Sequence, residues 1–221
     1  MGCCHSDEAP FLTEYFAKQE KLQNEAMVGD NPFEMIGKIG EIKKKQEKMK
    51  KDLVDVIENA FAHHDSDEDG VLDPEEADEF FEHFVERFVE FQCKTGLKAL
   101  DKQTAMQGGM MGVLGMGDDP MMKMMQKAME KTVEDGKKKL RQQRKDRLQN
   151  YRDNAHRLDA AAFAVLDTNN NGKLDVDEVV KALTPDTDEY MNLLVALELL
   201  SEAEVQMAKM GKEMAGDCPQ Q

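Results

Sequence analysis

The chain has 221 residues, enough for one large domain or two small ones and for a substantial buried core. It carries 45 acids against 29 bases, a net charge of -16 whose field repels phosphates, so nucleic-acid binding through the overall charge is excluded. The longest apolar stretch, Met191–Leu200, is too short for a bilayer span, no secretory signal pattern is seen, and four cysteines (Cys3, Cys4, Cys93, Cys218) make no disulfide framework.

The chain opens MGCCHS. Gly2 with Ser6 fits the N-myristoylation pattern, and Cys3 and Cys4 offer thiols for palmitoylation. One acyl chain holds a protein to a bilayer weakly, and a second makes the attachment stable. Residues 1–30 are therefore expected to be an acylated segment that ties the chain to the cytoplasmic face of a membrane. Between Lys38 and Lys51, seven Lys stand against Glu41 and Glu47, either to add attraction for anionic lipid or simply as a solvated helix face.

Residues 31–94 are expected to hold a helix, a loop and a second helix. The loop, residues 65–76, reads DSDEDGVLDPEE, and a second twelve-residue run at 167–178 reads DTNNNGKLDVDE. Both put hard oxygen donors at fixed intervals, which suits a cation that takes six to eight oxygens at about 2.3–2.6 Å. Asp65, Asp67 and Asp69 supply positions 1, 3 and 5 of the first loop; Asp167, Asn169 and Asn171 do so in the second. Gly70 and Gly172 permit the sharp turn at position 6. Val71 and Lys173 at position 7 ligate through backbone carbonyls, so their side chains are unconstrained. Asp73 and Asp175 fill position 9, and Glu76 and Glu178 supply the bidentate carboxylate at position 12. These patterns predict two Ca2+ sites. The first loop has five carboxylate ligands and the second three, so Mg2+ is also expected at the first. Asp73-Pro74-Glu75 reads as a helix start, after which Phe80, Phe81 and Phe84 line an apolar face.

Residues 95–150 are expected to be an insertion. Nine of the 17 Met lie between Met106 and Met129, and Gly108, Gly109, Gly112, Gly115 and Gly117 predict a flexible apolar loop there. Asp119-Pro120 then starts a long helix, with Gly136 as a weak point and a basic run KKKLRQQRK beyond it. Met side chains suit adaptable binding surfaces, so this segment is read either as a partner- or membrane-touching surface or as one more packed helix. The second hand occupies 151–184, and 185–221 forms a C-terminal helix and tail.

Both loops resemble those of the EF-hand superfamily, in which position 8, here Leu72 and Leu174, forms a short β-bridge to a partner loop. His64, directly before the first loop, departs from that family's apolar pattern and is expected to loosen the first hand's core. The loops start at Asp65 and Asp167, 102 residues apart, much farther than is usual for paired hands. Either they pair directly, the favoured reading, or each pairs with a decayed hand; Asp30–Glu41 and 131–142 are the degenerate candidates. No alternation of strand period is seen elsewhere, so the expected fold is all-α, built of helix-loop-helix units with a long helical, Met-rich insertion. With the N-terminal motif, the layout resembles neuronal calcium sensors and the flagellar calcium-binding proteins of protists, which usually carry four regularly spaced hands. The resemblance implies a membrane-anchored sensor, at the plasma or a flagellar membrane, that binds a target protein on calcium binding. A membrane-tethered calcium buffer and a calcium-stabilised scaffold are the competing expectations. No catalytic residue is expected: the five His form no metal-ligand spacing with Cys, and no nucleophile motif is present.

Overall fold

Leu53, Val56, Ile57, Ala60 and Phe61 recur at the spacing that an α-helix gathers onto one side. A computed structural model, which describes residues 10–26, 48, 51–113, 120–185, 187–201, 204 and 206, places residues 51–64 in a helix, α2, and buries all five side chains. Before it comes α1, Pro10–Ala26; after it come strand β1, Val71–Leu72, and α3, Pro74–Val113. The chain continues through α4, Pro120–Leu166, strand β2, Leu174–Asp175, α5, Val176–Leu183, and α6, Asp188–Ala196. The fold is all-α, as expected. Gly2, Cys3 and Cys4, the Asp30–Glu41 candidate, and Asp119 lie outside the described residues. Among the described residues, no helix is long and apolar enough to cross a membrane.

The described residues fall into two compact units, one comprising the chain up to Arg87 and from Tyr151 onward, the other Phe88–Asn150. The boundaries fall inside α3 and α4, so each of these helices serves both.

The first unit holds both loops. Its core combines the buried stripe of α2 with Phe80, Phe81 and Phe84 of α3, Leu158, Ala162 and Leu166 of α4, and Val179 and Leu183 of α5. Burying a Phe or Leu side chain stabilises by about 1.5–3 kcal/mol, so the Phe face of α3 contributes strongly here. α1 was not foreseen inside the 1–30 segment. Its Leu12, Tyr15 and Phe16 are buried; the Tyr15 hydroxyl donates to the Leu183 carbonyl at 2.6 Å, and Phe16 meets Phe84 with ring centroids 5.7 Å apart. α1 thus packs against the exit helices of both hands.

The second unit pairs the remainder of α3 with the start of α4, antiparallel. A Cβ on Gly96 would lie 3.0 Å from Leu140 Cδ1, and one on Gly136 would lie 3.2 Å from Leu100 Cδ1. Each helix therefore offers one glycine to one leucine of the other, with Lys137–Asp101 (2.6 Å) and Arg144–Glu90 (3.9 Å) as ion pairs across the same seam. This corrects the reading of Gly136 as a weak point: the missing side chain makes room for Leu100, and α4 runs through it unbroken. The first part of the expected Gly-Met loop is corrected too, because α3 continues through Gly108, Gly109 and Gly112 to Val113; Gly115, Met116 and Gly117 lie outside the described residues. An existing helix extends without forming a new nucleus, so glycine's penalty of about 1 kcal/mol does not end it there. The 131–142 candidate is likewise helical throughout.

Candidate metal centre

The two loops are built alike, position by position. Asp65 Oδ2 accepts from Gly70 N at 2.9 Å, and Asp167 Oδ2 accepts from Gly172 N at 2.9 Å. Their Oδ1 atoms accept from Asp69 N and Asn171 N at 3.1 and 3.0 Å. Asp67 and Asn169 accept from those same two amides, and Asp69 and Asn171 accept from Val71 N and Lys173 N. Gly70 and Gly172 sit at φ +84 and +77, where a Cβ would be strained. Position 4 is also left-handed in both loops, at Glu68 (φ 57) and Asn170 (φ 55). These turns draw the side-chain oxygens of positions 1, 3 and 5 inward around the bend.

The position-12 carboxylates close each loop. Glu76 Oε1 accepts from both the amide and the hydroxyl of Ser66 at 2.7 Å, and its Oε2 accepts from Asp73 N at 3.1 Å. Glu178 repeats this with Thr168 (2.9 Å, amide and hydroxyl) and Asp175 N (3.1 Å). Asp73 and Asp175 return the bond to Glu76 N and Glu178 N, the reciprocal arrangement of a helix N-terminal box. The Ser66 hydroxyl holds Glu76 below the usual carboxylate range. Ser66 and Thr168 were not singled out from sequence. The signal was there: a hydroxyl stands at position 2 of both loops.

The loops pair directly. β1 and β2 form an antiparallel ladder, Val71 opposite Asp175 and Leu72 opposite Leu174, with both leucines fully buried. Lys173 Nζ also crosses to Asp69 Oδ2 at 2.6 Å, so a position-7 side chain of one loop touches a position-5 oxygen of the other. That bond lowers the Asp69 pKa and raises that of Lys173.

The donor sets suit a hard divalent cation. Two oxygens each about 2.4 Å from a shared ion lie at most about 4.8 Å apart. Carboxylate oxygens of Asp65, Asp67 and Glu76 all lie within 4.8 Å of one another. The second loop offers Asp167, Asn169, Asn171, Asp175 and Glu178 in the same local frame.

His64 is buried, at 4% exposure. It continues the stripe of α2, seven residues after Ile57. Its Nδ1 lies 2.8 Å from the Ala60 carbonyl, which can only accept, so Nδ1 carries the proton. In the neutral ring Nε2 then accepts from His83 Nδ1 at 2.9 Å, linking α2 to α3. Burial lowers the His64 pKa. In the second hand Asp159 on α4 is buried as well and accepts from the Tyr151 hydroxyl at 2.8 Å. Burial, with the charges of Asp78 and Glu82 adding to it against the Tyr151 bond, pushes the Asp159 carboxyl up to about 6.

Residues 158–183 match the family model described as EF hand. The match supports the EF-hand superfamily. It supports calcium binding as well, and it covers the second hand alone. No curated protein and no solved structure matches the chain.

Proposed function

We propose that the chain is a membrane-anchored calcium sensor whose two loops work as one pair. The observation that carries this reading is the β1–β2 ladder, which brings two equivalent donor sets together although their starts are 102 residues apart. Asp65, Asp67, Asp69, Asp73 and Glu76, with the Val71 carbonyl, would hold one ion. Asp167, Asn169, Asn171, Asp175 and Glu178, with the Lys173 carbonyl, would hold the other. The denser charge of the first loop supports Mg2+ there at low calcium. Bound calcium supplies the positive charge that offsets repulsion among these carboxylates. The chain's own residues do the rest: Ser66 and Thr168 orient the closing glutamates, and Asp73 and Asp175 tie each loop to its exit helix. Those exit helices carry the buried Phe80, Phe81 and Phe84 and the buried Val179 and Leu183. A helix movement coupled to the loops would therefore open apolar surface to a target protein.

The anchoring part rests on Gly2, Cys3 and Cys4 and their fit to the acylation pattern. Fractionation of wild type and Gly2→Ala from cells, in calcium and in chelator, tests it: wild type is expected with membranes and the variant in the supernatant. An apolar dye tests the sensor part. Its fluorescence should rise on calcium addition; if calcium binds without that rise, the chain is a buffer.

A further inference from the structure

The two units differ in charge as much as in content. Residues 88–150 hold thirteen bases and eight acids, a balance of +5; the rest of the chain holds sixteen against thirty-seven, a balance of -21. The bases of the second unit are of two kinds. Lys137, Arg144 and Arg147 turn toward α3, where they meet Asp101, Glu90 and Gln92. Lys127, Lys131, Lys138, Arg141 and Lys145 are exposed, and none of them forms an ion pair among the described residues. Their spacings of four, seven, three and four put them on one side of α4, interrupted by Glu134 and bordered by Glu130. At about 1.5 Å per residue the stripe is about 27 Å long. Met124 stands at the edge of the same side, one turn before Lys127, and is 77% exposed; Met125, 52% exposed, points to the opposite side of the helix. Apart from Val165, these are the large apolar side chains left exposed among the described residues.

We infer that this side of α4 docks on an anionic lipid surface, with the lysines and arginine at the headgroups and Met124 inserted beside them. Three features favour a bilayer over an acidic protein. The stripe lies along a single helix and offers no groove between elements to hold a peptide. Its charges are spread over the width of several headgroups, which suits a surface of many separate anions. The exposed Met124 thioether is flexible and apolar, fitted to the boundary between headgroups and acyl chains. Lys and Arg stems can lie along apolar surface while their charged ends stay with the headgroups. Each base near an anionic bilayer strengthens partitioning about fivefold at low salt.

The docking does not depend on N-terminal acylation, so it is measured on full-length Gly2→Ala protein in chelator. The protein is sedimented with phosphatidylcholine vesicles, with and without phosphatidylserine. Binding is expected only where phosphatidylserine is present, and it should weaken with added salt. Changing Lys127, Lys131, Lys138 and Lys145 together to Gln, which keeps helix propensity, is expected to weaken binding at least tenfold. Met124→Ser should lower it at every salt concentration, whereas Met125→Ser, on the opposite side, should not. Lys181→Glu, an exposed base outside this unit, should leave binding unchanged. Circular dichroism confirms that each variant is helical. Equal binding to both vesicle types, or a four-Gln variant that binds like the parent, overturns the inference. So does capture by an acidic helical peptide with no vesicle binding.

Discussion

The two loops share one frame and differ in what they hang on it. Gly70 and Gly172, the left-handed Glu68 and Asn170, and the Ser66–Glu76 and Thr168–Glu178 closures are equivalent to within a few tenths of an ångström and a few degrees. The first loop has Asp67 and Asp69 where the second has Asn169 and Asn171. Yet the family match covers the second hand and not the first. The flanks separate the two. The residue before the loop is Leu166 in the second hand and the buried His64, bonded to His83, in the first. A frame set by local hydrogen bonds can therefore be intact where the flanking pattern is not.

Four changes test how far the equivalence reaches. The largest effect is expected at the ladder. Leu72→Ala and Leu174→Ala each remove a fully buried side chain and should each destabilise by about 3 kcal/mol, read by thermal or urea unfolding. Because the leucines face each other, either change should weaken calcium binding at both loops; a loss confined to one loop would show that the hands act separately.

Next come the closing glutamates. Glu76→Gln and Glu178→Gln keep the shape and remove the charge, and each should weaken its own site about a hundredfold. Calorimetry should then count one ion instead of two. If Glu76→Gln leaves the count unchanged, the first loop has the frame of a site without its function.

The third test is pH. Asp159 has a folded pKa of about 6 against an ordinary 3.8, so it binds a proton more readily when folded. Its stabilising effect is complete below about pH 4 and is lost as pH rises through about 6. Relative to Asp159→Asn, wild type should lose about 2 kcal/mol between those limits and pH 8, measured by urea unfolding across that range. His64, the buried counterpart in the first hand, shifts the other way because burial favours its neutral form as well.

The smallest effect is expected at Lys173, which reaches from one loop to the other. Lys173→Met keeps the backbone carbonyl and removes the cation beside Asp69, so the first site should tighten about threefold while the second is unchanged. Titration in a Glu178→Gln background isolates that site.

Much of this was legible in the sequence. The ligand positions follow from oxygen chemistry at fixed intervals, and the buried Phe80, Phe81 and Phe84 follow from helical spacing. His64 departs from the apolar pattern by residue type, yet its place on the α2 stripe carries it into the core. The middle of the chain was misjudged because glycine was weighed by residue type alone. Gly136 faces a leucine of the neighbouring helix that no local pattern reveals, and Gly108, Gly109 and Gly112 lie on a helix already nucleated, so none of them ends its helix. The direct pairing of loops so far apart was one of two open readings. It becomes definite once α3 and α4 are seen to run antiparallel over residues 88–150.

The ladder has only two residue pairs, and that shortness has a consequence. A long ladder can fray at one end or slip and keep part of its bonding. Here a slip by one residue would turn Leu72 and Leu174 out of the core and break the register at once. The junction thus has two states, formed or lost. An ion that fixes the backbone of one loop also removes conformational freedom that the other loop would otherwise lose on its own binding step. The second ion then meets a smaller entropic penalty, and the binding curve of the pair should be steeper than that of either loop alone.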